Sequence, residues 1–374
     1  MPEENSKKTS EPKEGRLTAF PCKTCGNRMV FSPDTQDLVC PYCQSHSPID
    51  APTIVAPEYI YDPDNDKWDA PDWRALGNRP VSCPACGAEM LLPAEAMTAD
   101  CPFCGNHYVT ELSLDEPIIP PETMTPFLVS EKKARDQFQK WAGHRLMAPV
   151  GFRKKLSAMP MSGIYIPAFT YDTDLVTDFS GSGGRRRTEY YTVRVNGKTQ
   201  TRSRTVIDWF PYHGKCEDMT DGILIPASKK VDSAMFGKVS PFETKNLYVY
   251  NPAYLSGFFA ERYDVGPSAA FVKAKSVAES RIKEKIEAEG GYDVYRNMSY
   301  RHHYKKVTFK HILLPVWFAS YTFRKKKYFY LVNGETGRVA GKAPVSPLKI
   351  AAVGVASVSA AVLLFFLIGW LCGF

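Results

Sequence analysis

Cys22-Lys23-Thr24-Cys25-Gly26 and Cys40-Pro41-Tyr42-Cys43, followed by Cys83-Pro84-Ala85-Cys86-Gly87 and Cys101-Pro102-Phe103-Cys104-Gly105, are the stretches on which the reading of this chain turns. They hold eight of the ten cysteines, as four Cys-x-x-Cys pairs, and fourteen residues separate Cys25 from Cys40 and Cys86 from Cys101. A Cys-x-x-Cys turn points two sulfurs at one centre. Two such turns joined by a short hairpin complete the tetrahedral four-thiolate shell that Zn²⁺ favours. The spacing therefore predicts two structural Zn²⁺ ions, one held by Cys22, Cys25, Cys40 and Cys43, the other by Cys83, Cys86, Cys101 and Cys104.

The residue after each pair is glycine at Gly26, Gly87 and Gly105, and glutamine at Gln44. Glycine there accommodates a positive φ that turns backbone N–H groups toward the sulfurs. Met29-Val30-Phe31, Leu38-Val39 and Met90-Leu91-Leu92 read as the short strands between the turns. A module of this size buries too little apolar surface to fold alone, so ligation, worth ~10–16 kcal/mol for structural zinc, supplies most of its stability. The two modules resemble zinc ribbons of the transcription-factor-IIB type.

Other chemistries of these cysteines fit less well. Disulfides need an oxidising compartment, yet residues 1–16 are rich in Lys, Glu and Ser without the apolar stretch of a signal peptide, and read as a disordered leader. A thioredoxin-like pair needs one Cys-x-x-Cys beside a βαβ pattern. A catalytic zinc needs an open position, and four thiolates close each shell. His46 and His107 follow the second pairs but find those shells full, so they read as surface residues.

From these modules the organisation extends outward. The chain has 374 residues, 44% of them hydrophobic, and a net charge of +7, enough for several domains and a sizeable core. That charge permits a nucleic-acid or membrane surface as partner without requiring either. The expected order is leader 1–16, ribbon 17–48, an extended Pro/aromatic linker 49–78 packing on the adjacent ribbon, ribbon 79–110, an α+β domain over 122–345, and a transmembrane helix over 350–371.

Within the larger domain, apolar residues at helical spacing predict a helix over 130–142, with Ala134, Phe138, Trp141 and Ala142 on one face. A second is expected over 268–289, with the stripe Ala270, Phe271, Ala274, Val277, Ala278, Ile282 and Ile286, stopped by Gly290-Gly291. Each is followed, after a basic connector, by a similar run: Ile164-Tyr165-Ile166-Pro167-Ala168-Phe169 and Ile312-Leu313-Leu314-Pro315-Val316-Trp317. The shared aliphatic-Pro-x-aromatic core suggests an internal duplication of a helix-plus-sheet unit, and its proline an edge strand or bulge. Asn196-Gly197 between alternating runs reads as a hairpin turn, and a second hairpin is expected at Asn333-Gly334. The fold class is thus α+β with antiparallel sheet.

After Lys349 no charge remains, and 350–371 is apolar throughout, long enough to cross a ~30 Å hydrocarbon core. Arg338, Lys342 and Lys349 lie on its N-terminal side, so the positive-inside rule puts the preceding bulk in the cytoplasm of a single-pass protein of the cell membrane. Ala352, Ala356 and Ala360, with Gly354 and Ser357 nearby, form a small-residue face that allows a homo-oligomer.

Motifs for catalysis fail on spacing. Gly197-Lys198-Thr199 lacks the P-loop glycine, since Thr192 stands five residues before Gly197. Gly181-Ser182-Gly183-Gly184 with Arg185-Arg186-Arg187 reads as a flexible basic loop. Asp172, Asp174 and Asp178 lack the offsets of a calcium loop. His213 and Cys216 raise a Cys–His nucleophile with no orienting third group, and His302-His303 lie in a basic connector.

The double ribbon, the run Tyr250-Asn251-Pro252-Ala253-Tyr254-Leu255-Ser256-Gly257-Phe258-Phe259-Ala260-Glu261-Arg262-Tyr263, and Leu331-Val332-Asn333-Gly334-Glu335-Thr336-Gly337 together resemble bacterial membrane-anchored zinc-ribbon proteins. The resemblance covers about 20–345. Members are often labelled as related to the primosomal replication-restart helicase; this chain carries no Walker A motif. Some similar proteins accompany SPFH-domain and phage-shock-type proteins in envelope stress. The resemblance implies a membrane-anchored adaptor that binds a partner protein, with an SPFH-domain protein as one candidate, and no catalytic residues. The alternative is a membrane-tethered nucleic-acid-binding protein without helicase activity, its nucleic-acid binding weak.

Overall fold

Two long strands run antiparallel through the centre of the molecule, and every other element is placed by its relation to them. The computed structural model describes residues 20–50, 58–63, 65, 67–68, 78–83, 85, 89–93, 101, 110–111, 119, 121–149, 152, 159–195, 197–231, 233–244, 247–323 and 326–372. The expected leader 1–16, most of the linker 49–78, and Cys86, Cys104 and His107 lie outside them.

The first cysteine module contributes β1 (Val30–Ser32), β2 (Asp37–Val39) and β3 (His46–Ser47), a small antiparallel sheet of its own. Next come β4 (Tyr59–Asp62), β5 (Lys67–Trp68), β6 (Asn78–Ser82), β7 (Glu89–Pro93), β8 (Thr110–Glu111) and β9 (Thr123–Met124). Helix α1 (Glu131–Gly143) leads into the hairpin of β10 (Ser162–Val195) and β11 (Lys198–Pro226), followed by a short α2 (Ser233–Val239). Then β12 (Tyr248–Val249), β13 (Phe259–Glu261) and α3 (Pro267–Gly290) precede β14 (Val294–Phe323), β15 (Lys326–Asn333), β16 (Val339–Gly341) and the apolar α4 (Pro347–Cys372). The class is α+β with a mixed sheet, ordered β12-β9-β14-β10-β13-β7-β6-β8, with β11 on β10 and β15 on β14.

The helices form where their stripes predict. In α1 the buried residues are Ala134, Phe138 and Ala142, one every four residues, with Phe138 against Tyr330. In α3 Pro267 occupies the first turn, where its missing N–H costs nothing, and Gly291 closes the helix in the left-handed conformation at φ 60°. Ala270, Ala274, Ala278, Ile282 and Ile286 are fully buried, whereas Val277 is exposed. A four-residue repeat advances about 40° per step along a helix of 3.6 residues per turn, so the stripe winds forward and leaves Val277 behind its trailing edge.

The two prolines occupy neither a sheet edge nor a bulge. Pro167 lies between Ile164 and Tyr165 of β10, paired parallel to β13, and Ala168, where pairing to β11 begins. Pro315 lies between Ile312 and Leu313 of β14, paired parallel to β9, and Val316, where pairing to β15 begins. An extended residue points its N and its C=O to the same side, and both proline carbonyls face the changeover, accepting Ala227 N–H at 3.0 Å and Gly334 N–H at 2.9 Å. A strand that changes neighbours needs no donor at that step, so proline fits inside a sheet.

The same pattern recurs farther out. Ala227 accepts from Asp264 and Val265, and Gly334 accepts from Leu128 and Val129. Phe127 packs on Trp317 at 5.0 Å, and Tyr263 on Phe169 at 5.5 Å. The centre of this repetition is the Ile166–Leu314 pair of β10 and β14.

Three expectations are corrected. The second hairpin exists, but its connection runs from Asn333 to Arg338 rather than turning at Asn333-Gly334, because Gly334 is engaged by Leu128, Val129 and Pro315 and the positive φ falls at Gly337. The first hairpin does close between Val195 and Lys198. Gly181 to Arg187 is not a flexible loop: it pairs residue by residue with Tyr212 to Val206 inside β10. The linker does not rest only on the ribbon, since β4 adds to β14 and buries Tyr61 against Phe271 and Phe309.

Candidate metal centre

Local sequence builds the first cysteine cluster through two matching turns. Cys22 N–H donates to Asn27 O and Gly26 N–H to Cys22 O; Cys40 N–H donates to Ser45 O and Gln44 N–H to Cys40 O. Gly26 has φ 75° and Gln44 has φ 57°, so the glutamine takes the conformation that glycine takes in the other turn. The hairpin β1–β2, with Val30 opposite Val39, sets the two turns face to face.

The four sulfurs all lie within 4.8 Å of one another, with Cys22 to Cys43 at 3.4 Å and Cys25 to Cys40 at 3.5 Å. A tetrahedron with Zn–S near 2.3 Å sets its sulfurs about 3.8 Å apart. The cluster therefore fits one four-coordinate metal ion. Ser45 reinforces it, its hydroxyl 2.8 Å from Cys22 Sγ and 3.2 Å from Cys43 Sγ, and Thr24 N–H points to Cys22 Sγ at 3.4 Å. The Ser45 hydroxyl draws the Cys22 thiol down to about 5. At Cys25 the Asn27 backbone acts to lower the value, but burial and the neighbouring thiols outweigh it and push it up to about 12. Four thiolates this close need a cation among them.

His46 stands outside the cluster, with Nδ1 2.7 Å from Asp37 Oδ2. Cys83 and Cys101 are both buried, 1% exposed each, in one apolar cluster with Ile164, Ile166 and Val316. Among the described residues they form a pair without Cys86 and Cys104.

Sequence reasoning missed how the first module is held. Cys22 and Cys40 are buried while Cys25 and Cys43 are exposed, so the cluster straddles the domain surface. Phe31 N–H donates to Ser256 O at 2.9 Å, Ser256 Oγ donates to Met29 O at 2.6 Å, and the Phe31 ring meets Tyr254 edge-on at 5.0 Å. Gly257, at φ 91°, lets the chain pass Val30; a Cβ there would lie 3.1 Å from Val30 Cβ. The signal was present in Tyr254-Leu255-Ser256-Gly257-Phe258, an apolar run broken by two small residues.

The remaining candidates for chemistry are dispersed. His213 and Cys216 both belong to β11, and an odd separation along a strand puts them on opposite faces. His213 is exposed; Cys216 is buried, and desolvation raises its thiol. No dyad forms. Asp172, Asp174 and Asp178 lie along β10 rather than in a loop, and His302 and His303 lie within β14, bonded to Thr177 and Asp178 respectively.

A polar cavity of about 460 Å³ opens at a bulge in β11, where Asp221 and Gly222 lie opposite Asp172 of β10, with Glu58 and Lys310 also in its wall. Lys310 Nζ is 2.9 Å from Glu58 Oε1 and 3.9 Å from Asp172 Oδ2. Burial acts to raise Glu58, but Lys310 and Thr308 outweigh it and hold its carboxyl below the ordinary range. Burial raises Asp172.

Helix α4 is long and apolar enough to cross a membrane: Pro347–Leu364 has mean hydropathy 1.9 and none of it is buried. Its start is tied to the segment after α1, with Ser346 N–H on Met147 O at 2.8 Å and Lys349 Nζ on Leu146 O at 3.0 Å.

Among curated proteins, the chain is similar to "Uncharacterized protein YdjG" of Bacillus subtilis (strain 168), 27% identical over 339 residues that cover 90% of this chain and 93% of that protein. No protein-family profile matches the chain. No solved structure matches it.

Proposed function

We propose that this chain is a membrane-anchored, non-enzymatic scaffold or adaptor whose cytoplasm-facing body binds a partner protein. The observation that carries this reading is the bare apolar helix α4, fastened at its first turn to a large folded body through Ser346 and Lys349. Arg338, Lys342 and Lys349 on its N-terminal side support a cytoplasmic body in the cell membrane. The ion at Cys22, Cys25, Cys40 and Cys43 is structural Zn²⁺, in keeping with four thiolates and no open position. Cys83, Cys86, Cys101 and Cys104, at the same spacing, hold a second, so the two modules are zinc ribbons.

The α+β domain is an internal duplication. The two units are β9-α1-β10-β11 and β13-α3-β14-β15, each lending its short parallel strand to the other's long one. The matched proline changeovers and the paired hydrogen bonds at Ala227 and Gly334 support it. The partner is a protein, of SPFH-domain type by the family resemblance.

The test is affinity purification of the detergent-solubilised full chain, with and without nuclease, beside a chain truncated after Lys349. A co-eluting protein that survives nuclease is expected, together with release of the truncated chain from the membrane pellet. Co-elution abolished by nuclease, or a truncated chain that stays in the pellet after a high-salt wash, refutes the reading.

A further inference from the structure

The hairpin of β10 and β11 is far longer than the fold requires. The corresponding hairpin β14–β15 pairs over eight positions, from Val316 to Phe323, whereas β10 pairs with β11 from Ala168 all the way to Val195. Up to Gly184 the hairpin is supported, because β14 pairs with β10 as far as Gly184–Val294 and α3 ends at Gly290 beside Tyr212 and Tyr295. Beyond Gly184 the eleven pairs from Arg185–Asp208 to Val195–Lys198 stand as a two-stranded ribbon with no third strand among the described residues. At ~3.4 Å per residue this arm projects about 35 Å.

Its composition differs from that of the rest of the chain. Residues 185–208 carry seven basic side chains against two acidic ones, a net +5 within a protein of net +7. Both acids are engaged, Asp208 with Arg187 at 2.7 Å and Glu189 with Arg204 at 2.7 Å. Arg186, Arg194, Lys198 and Arg202 are exposed and make no ion pair among the described residues. Six of its fifteen uncharged positions are Thr or Ser, each of its aromatic and aliphatic residues pairs across the ribbon with a polar or charged one, and Tyr190 is 73% exposed. Such a ribbon has no apolar face to bury, so what it recognises is negative charge. Its like charges also keep two open strand edges from pairing with a second copy.

We propose that this arm binds double-stranded nucleic acid, entering the major groove and contacting phosphates on either side without reading sequence. The groove is ~12 Å wide and admits a two-stranded β-ribbon, and the arm's length matches one helical turn of ~34 Å. Exposed guanidinium, hydroxyl and phenol groups are the donors that phosphate and sugar oxygens accept. A membrane surface is the less fitting polyanion. The anchor α4 is fastened beyond α1, which packs with β15 and β16 at the end of β14 opposite to the arm.

The test uses the zinc-loaded full chain in neutral detergent, a fluorescent 20-base-pair DNA duplex, and the variant Arg186→Gln/Arg194→Gln/Lys198→Gln/Arg202→Gln. These side chains are exposed and make no ion pair among the described residues, and unchanged metal content and melting temperature verify that the variant is folded. Wild type is expected to bind with micromolar affinity, insensitive to base sequence, with log Kobs falling linearly with log salt. The variant's slope should be shallower by up to about 3.6, or ~0.9 for each phosphate no longer neutralised, with roughly tenfold or greater weakening of affinity at 50 mM salt. Duplex binding of equal strength and slope in both proteins overturns the assignment to the arm. No duplex binding, with charge-dependent binding to phosphatidylglycerol vesicles that the variant loses, overturns it in favour of a lipid surface.

Discussion

Phe31→Ala separates the two forces that hold the first cysteine module, docking and ligation. The Phe31 ring is 3% exposed, wedged against Tyr254 at 5.0 Å and Phe258 at 6.2 Å. Removing a buried phenyl group costs about 3–5 kcal/mol. Docking also rests on the Phe31–Ser256 and Ser256–Met29 hydrogen bonds and Gln36 Nε2 on Phe127 O at 2.8 Å, each worth about 0.5–1.5 kcal/mol. The Lys133–Asp34 pair is exposed on both sides and adds little. The ring is therefore the largest of these contributions, and its loss should raise the undocked population by about two to nearly four powers of ten. The four sulfurs all come from residues 22–43, so the metal should stay bound. Hydrogen exchange at the Phe31 amide, which donates to Ser256 O, and protease cleavage after Arg28 read the docking; chelator-driven release reads the metal. Unchanged amide protection, or metal lost in step with protection, would refute the argument that docking and ligation are separable.

Two further outcomes follow from the cysteine pairs and from a buried acid. Cys86→Ser should lower bound zinc from two ions per chain to one while leaving the first module intact; an unchanged stoichiometry removes the second site. Glu261 is 1% exposed, and burial pushes its carboxyl from 4.5 up to about 7, with Lys230 Nζ 3.4 Å away partly opposing this. The folded state thus holds a proton that the unfolded chain releases above about 4.5. Its stabilising contribution is complete below that pH and declines by about 3 kcal/mol as pH rises to about 7. Glu261→Gln should flatten the urea midpoint between pH 4.5 and 7; an identical slope in both proteins locates the pH dependence elsewhere.

The cluster at Cys22, Cys25, Cys40 and Cys43 was legible because its geometry is set within a few bonds of each ligand. A Cys-x-x-Cys turn converges its sulfurs whatever surrounds it, and Gln44 adopts the turn even without glycine. The second set was equally legible as spacing, with Cys83 and Cys101 buried and their partners outside the described residues. The repeated Leu-Pro-Val and Ile-Pro-Ala cores drew attention to two matched runs. Their prolines were misjudged, since a sheet in which one strand changes partners midway has no local signature. The basic stretch at Arg185-Arg186-Arg187 read as a loop because glycines precede it; its pairing with residues 206–208 supplies the donors and acceptors that make it strand.

Amino-acid order alone determined what depends on short separations: the ligand turns, the winding stripe of α3 ended by Gly291, and the apolar run of α4. Each is an interaction between residues three or four apart, or a property of a single segment. Tertiary structure decided what depends on long separations: that Ser256 receives the first cysteine module, that β9 pairs with β14 and β13 with β10, and that His213 and Cys216 face apart. It also decided that β14 begins at Val294, leaving the arm of β10 and β11 with no third strand beyond Gly184 among the described residues. Pairing partners are chosen by the burial of whole faces against one another, and that energy belongs to no single stretch of the chain.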